Sequence, residues 1–212
     1  MNVREGCPIP AAEHSVGPAS HADVPDAVEA LTAAFEGYAW TRWVVPADDH
    51  EHRLAGLFEI TVARVGLAYG DVWVARCPGP DGVVVGASVV LRPDRPVPDA
   101  VWAAIAPVEQ DLLGDRLAAA DEAEALCAPL RPTEPHLTIA TIGVRPDHQG
   151  RGIAKALLRP ALETSRGLGV PAYLETSSER NVGLYRGLGF EVTGQVSVPG
   201  NGPAVWAMRC DA

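Results

Sequence analysis

The chain has 212 residues and carries 17 Lys and Arg against 27 Asp and Glu, a formal net charge of -10. That length buries roughly 70% of the surface an unfolded chain exposes, enough for a core without disulfides or metals; at 47% hydrophobic and 21% charged residues, collagen-like, coiled-coil and wholly disordered chains are excluded. The acidic balance leaves no electrostatic footprint for nucleic acid, and no run approaches the roughly 18 consecutive apolar residues of a membrane span.

Residues 1–18 carry Gly, Pro, Ser and His without apolar periodicity and are expected to form a flexible tail or a poor first strand; residues 19–212 are expected to form a single domain. Met1 to Pro8 lack the apolar core of a signal peptide, so a cytoplasmic location is expected. Cys7, Cys77, Cys127 and Cys210 show no CxxC or CxxH spacing, which predicts reduced, packed thiols and no metal site. From Asp23, a capping residue, Val24, Val28, Leu31, Ala34 and Phe35 follow helical spacing, with Pro25 in the first turn and Gly37 at the stop. A second amphipathic helix is expected over Leu54 to Leu67. Asp71 to Cys77 and Val83 to Leu91 read as a strand pair joined by a Pro- and Gly-rich loop.

Pro98 to Leu130 reads as two helices, or one kinked at Pro107, that cover a ligand cleft. Beyond a Pro-rich break at Arg131 to Pro135, a strand (Leu137 to Val144), a helix (Gly150 to Gly167), a strand (Val170 to Thr176) and a helix (Ser178 to Leu188) follow. Phe190 to Val198 and Pro203 to Met208 form a hairpin around Pro199-Gly200-Asn201-Gly202. The class is therefore α/β to α+β, built around a mixed sheet.

The segment from Val144 to Lys155, VRPDHQGRGIAK, joins an apolar strand to an amphipathic helix through a glycine-bearing loop. Backbone N–H groups at such a helix start, and the positive end of the helix dipole, suit a pyrophosphate, and glycines let its oxygens come close. The dinucleotide fingerprint GxGxxG fails here because Lys155 stands at the third glycine and Arg145 to Gln149 intervene after the strand. Arg151, Lys155 and Arg159 are spaced four apart and line one helix face, where they either meet further phosphates or form a solvated stripe. Neither GxSxG nor GxxxxGK[ST] occurs, and His50-x-His52 lacks helical metal spacing.

The pattern Gln149-x-x-Gly152-x-Ala154 after this strand resembles the acetyl-CoA motif of the GCN5-related N-acetyltransferase (GNAT) superfamily. Asn181 and Tyr185, followed by Gly189-Phe190, resemble a second signature of that superfamily. Stretches at Asp23 to Val28, Arg64 to Leu67, Val72 to Ala75 and Val170 to Ser177 are similar to its puromycin-acetylating branch, and the likeness runs from about residue 20 to the end. The resemblance implies a mostly antiparallel central sheet flanked by helices, with Leu137 to Val144 splayed from Val170 to Thr176.

It further implies an acetyl-CoA-dependent N-acetyltransferase acting on the amine of a small molecule, puromycin or a similar aminoacyl or aminonucleoside compound, by direct attack in a ternary complex. Acetylation of a different small amine, or a non-catalytic acyl-CoA sensor, are the alternatives. Ile142, Gly143 and Val144 would hold the pantetheine arm and polarise the thioester, while Gln149, Gly150, Arg151, Gly152, Ile153 and Ala154 would take the pyrophosphate, with Asn181 facing the cofactor. Tyr185 would be the acid that protonates the departing thiolate, and Glu175 the base or a substrate-binding group; a packed tyrosine and a hydrogen-bonded structural carboxylate are their competing roles. Tyr38, Trp40, Arg42 and Trp43 would form the acceptor pocket, each tryptophan being otherwise a core residue. Acetyl-CoA and a small-molecule amine are the implied partners, with no nucleic acid, membrane or metal; a monomer and a homodimer are both compatible with this reading.

Overall fold

The computed structural model describes residues 14–79 and 82–212. Among these residues seven strands form one sheet: β1 (Ser15–Pro18), β2 (Gly70–Arg76), β3 (Val84–Leu91), β4 (Leu137–Val144), β5 (Ala172–Thr176), β6 (Glu191–Ser197) and β7 (Ala204–Cys210). Their order is β1-β2-β3-β4-β5-β7-β6, and every pairing is antiparallel except that of β4 with β5. The mixed, mostly antiparallel sheet expected from the sequence is thus present. Of the segment expected to be a tail or a poor first strand, Ser15–Pro18 form the edge strand β1, paired with β2 from Ser15↔Arg76 to Pro18↔Trp73. Residues 1–13, with Cys7, lie outside the described residues.

Helices cover both faces. On one side lie α1 (Val24–Phe35), α2 (Ala39–Val44) and α3 (His50–Glu59), where Ala27, Ala30, Leu31, Leu54 and Phe58 pack on Val72 and Val74 of β2 and on Ala87 and Val89 of β3. α3 runs on through a π-helical stretch, Ile60–Gly66, and a last turn α4 (Leu67–Tyr69), so the predicted helix over Leu54 to Leu67 exists with its second half wound wider. On the other side lie α7 (Ile153–Leu168), meeting Val85 and Val144 through Ile153 and Leu157, and α8 (Glu179–Arg186), whose Val182 and Tyr185 join Leu137, Ile139, Leu174 and Met208. Because helices cover β3 on both sides, all but the last of its residues are buried, which explains its unbroken apolar run.

Two local expectations are corrected. Asp23 does not cap α1 through its side chain; its carboxylate takes the Ser20 N–H (2.7 Å) and hydroxyl (2.9 Å) and pairs with Arg76. The region after Pro98 is two helices, α5 (Asp99–Leu113) and α6 (Leu117–Cys127), but the break is not at Pro107, which lies inside α5; it comes at Gly114, whose φ of 50° lies in the range glycine tolerates best. Ala123 and Cys127 of α6 pack with Val198, Val205, Trp40 and Trp43. No described helix is long and apolar enough to cross a membrane.

Candidate active site

β4 and β5 pair only at Leu137↔Ala172 and Thr138↔Tyr173. β3 stays paired with β4 as far as Val144, with a register shift that skips Ala140, while β5 continues along β7 to Thr176. From Ile139 and Leu174 onward the two strands separate, and a wedge opens in the middle of the sheet. Two cavities, of about 410 Å³ and 310 Å³, lie along this wedge and share Phe35, Tyr38, Ile142, Asn181 and Tyr185 in their walls.

The larger cavity is bounded by Ile142, Gly143 and Val144 of β4, by the loop residues His148, Gln149, Gly150 and Gly152, and by Ile153, Ala154 and Lys155 at the start of α7. The helix begins at Ile153 rather than at Gly150 because Gly150 (φ 76°) and Gly152 (φ 80°) hold left-handed backbone, and the space beside both Cα atoms is open. Gln149 staples the loop to the strand end by donating from Nε2 to the Val144 carbonyl at 3.1 Å. Gly143 has a second role: a Cβ there would stand 2.9 Å from Ala34 Cβ and 2.9 Å from Leu31 Cδ2, so its absence lets α1 lie close against β4.

Arg151 is not in the wall; its guanidinium donates to the Asp147 carbonyl at 3.0 Å. Arg159 is likewise turned away, 3.8 Å from Glu163 on an exposed face. Lys155 lines the cavity, joined by Arg180, which sequence reading missed. A basic residue one place before Asn181 is the signal that could have found it.

The smaller cavity is mostly apolar, with Phe35, Tyr38, Trp40, Leu54, Phe58 and Val205 in its wall and Glu175 as its carboxylate. The turn between α1 and α2 positions Tyr38: the Thr41 hydroxyl donates to the Phe35 and Tyr38 carbonyls, and the Tyr38 hydroxyl meets Thr176 Oγ1 at 3.0 Å and accepts the Ser177 N–H. Trp40 is in the wall, but Arg42 and Trp43 are not. Trp43 packs on Trp40 at 5.7 Å between ring centroids, lies under the Arg116 guanidinium at 5.1 Å, and donates from Nε1 to the Gly200 carbonyl at 3.3 Å. It serves as a support behind the pocket.

Glu175 Oε1 accepts from Tyr173 Oη at 2.9 Å and from Arg131 Nε at 3.1 Å, and Arg131 also grips Glu124. Among the described residues none donates to Oε2, the oxygen left for a ligand. Burial, and then the Glu175 charge, hold the Tyr173 phenol protonated; burial, with Glu175 and Glu124 nearby, pushes the Cys127 thiol up to about 11. Tyr185 is buried and in the wall of both cavities, and burial, then the neighbouring Tyr38, raises its phenol above the ordinary tyrosine range. The phenol is thus held protonated at the junction of the cavities. Asn181 sits one turn earlier on α8, its Nδ2 3.4 Å from Thr176 Oγ1.

A model of the acetyltransferase (GNAT) family matches residues 81–190, the span from the β2–β3 loop through the glycine-bearing loop to Phe190. A crystal structure from Corynebacterium glutamicum described as histone acetyltransferase HPA2 and related acetyltransferase superposes with a TM-score of 0.73 at 27% identity, covering 95% of this chain and 98% of that one. The N-alpha-acetyltransferase RimI of Mycobacterium tuberculosis is 43% identical over 56 residues, and a Pseudomonas paraeruginosa L-methionine sulfoximine/L-methionine sulfone acetyltransferase is 33% identical over 69 residues. Those segments cover 26% and 31% of this chain and only 35% and 40% of the two relatives.

Proposed function

The chain belongs to the acetyltransferase (GNAT) family, and from that premise we propose that it transfers the acetyl group of acetyl-CoA to the amine of a small molecule within a ternary complex. The observation that carries this reading is the wedge itself: two cavities meet at Tyr38, Asn181 and Tyr185, so two substrates can be held with their reacting ends together. The larger cavity suits the coenzyme. Gly150 and Gly152 leave their backbones open, Lys155 and Arg180 supply positive charge, and the N-terminus of α7 adds its dipole, which together fit a pyrophosphate.

Acetyl-CoA, when bound, supplies an acetyl thioester. The β4 edge beyond Ile139, released from β5, offers backbone groups to the pantetheine arm and to the thioester carbonyl. Glu175, through Oε2, orients the amine and receives its proton directly or by way of water, and Tyr185, kept protonated by burial, returns a proton to the departing thiolate.

Within this reaction the acceptor we propose is puromycin or a similar aminoacyl or aminonucleoside compound. The aromatic wall of Phe35, Tyr38, Trp40 and Phe58 supports it, since flat rings stack on such faces, and about 310 Å³ is a small-molecule volume. Incubation of the protein with acetyl-CoA and a panel of amines that includes puromycin, followed by mass spectrometry and free-thiol release, tests both levels. One acetyl group gained per puromycin with matching thiol release is expected. Turnover of another amine alone moves the acceptor, and silence across the panel despite acetyl-CoA binding overturns the reaction in favour of an acyl-CoA sensor.

A further inference from the structure

We propose that His14, Cys77 and His148 form a zinc site on the flank of the larger cavity. The three come from separate segments: His14 directly precedes β1, Cys77 directly follows β2, and His148 stands in the loop between β4 and α7. The β1–β2 register, Ser15↔Arg76, sets His14 beside Cys77, and the Arg145 N–H donating to the Val85 carbonyl at 2.8 Å ties the His148 loop to the adjacent strand β3 at the same end of the sheet. One donor atom from each residue lies within 4.8 Å of the other two, and Cys77 Sγ is 3.9 Å from His148 Nδ1.

Two features separate this cluster from a chance meeting of polar side chains. Nε2 of His14 is buried and, among the described residues, has no hydrogen-bond partner, a costly state for a ring nitrogen that a metal ion would relieve. His148, whose Nδ1 faces the thiol, keeps its Nε2 away from the cluster, 3.5 Å from Asp147 Oδ2.

Imidazole and thiolate ligands both suit zinc, and two imidazoles and a thiolate supply three corners of its tetrahedron. At Zn–S of about 2.3 Å and Zn–N of about 2.0 Å tetrahedral donors stand roughly 3.3–3.5 Å apart, so donors within 4.8 Å of one another need to close by up to about 1.5 Å, with the fourth position left to water. Sequence spacing could not reveal the site because no two ligands share a motif. The proposal is independent of acetyl transfer, although His148 also lines the larger cavity, so zinc would brace that wall.

The test uses the full chain, loaded with zinc and dialysed into zinc-free buffer. We expect one zinc per chain by elemental analysis, and with cobalt in its place a near-ultraviolet thiolate charge-transfer band. Cys77→Ser should abolish that band, and His14→Ala should weaken zinc binding by at least about tenfold. His14 lies outside the hydrophobic clusters, so its variant remains informative if the Cys77 variant fails to fold by circular dichroism. Zinc lost on dialysis, or a band that persists in Cys77→Ser, overturns the site.

Discussion

The phenolic oxygen of Tyr38 stands 3.0 Å from Oγ1 of Thr176 and accepts the backbone N–H of Ser177, so the turn after the first helix is fastened to the end of β5, 138 residues away. This contact crosses the mouth of the wedge and holds one wall of both cavities against the strand that carries Glu175.

Tyr38→Phe keeps the ring and its edge contact with Phe35, 5.1 Å between centroids, but leaves the half-buried Ser177 N–H without its acceptor. We expect a loss of about 1 kcal/mol, read as a Tm lowered by about 2–4 °C. The KM for the amine should rise as well, because the pocket wall loosens. An unchanged Tm would mean that water replaces the phenol there without cost.

Tyr185→Phe tests the assignment of the acid. Turnover should fall by about 10²-fold while the acetyl-CoA Kd stays within about twofold; a loss confined to Kd would make Tyr185 a binding residue. The pH dependence follows from the raised pKa, whose causes are burial first and Tyr38 second. The protonated, donating form exists below the pKa, and raising it above the ordinary value of about 10 extends that form to higher pH. The wild-type rate profile should therefore show no alkaline limb from this residue below about pH 9. A limb there that vanishes in Tyr185→Phe would contradict the effect of burial.

Gly152→Ala places a methyl group where, its chain neighbours aside, no atom of the described residues lies within 4 Å, at a backbone φ of 80°. The strain costs about 1–2 kcal/mol of stability, and the methyl intrudes on the face we propose for the pyrophosphate. The acetyl-CoA Kd should rise by about tenfold, with the amine KM nearly unchanged, by calorimetry and steady-state kinetics. Weakened amine binding with intact acetyl-CoA affinity would instead put the coenzyme elsewhere.

Local signals in the chain read well. The apolar run Leu137–Val144 is β4 to the residue, and the glycines at 150 and 152 mark the loop because positive φ is a property of single positions. Contacts between distant segments did not read. The sequence around Trp43 is that of a pocket residue, but the Arg116 guanidinium, 73 residues on, lies over its ring, and Pro107 marks a break between α5 and α6 although the chain turns at Gly114. The partners of Glu175 were equally hidden, since Arg131 lies in a Pro-rich connection that carries no motif.

Those partners decide how Glu175 is to be tested. With Oε1 committed to Tyr173 and Arg131, the group acts on a ligand through Oε2 or serves as a strut between β5 and α6. Glu175→Gln retains an oxygen for both donors and removes the charge, so the strut largely survives while the charge-assisted contact to an amine is lost. A charged hydrogen bond contributes about 1.5–3 kcal/mol, so kcat/KM for the amine should fall by roughly 10- to 100-fold with the acetyl-CoA KM and the Tm little changed. Glu175→Ala should add a drop in Tm, because the buried Tyr173 hydroxyl then has no acceptor and the Arg131 link between Glu124 and β5 is cut. Wild-type kinetics in the Gln variant together with a destabilised Ala variant would leave Glu175 a strut, and the proton from the amine would then have to leave through water in the wedge.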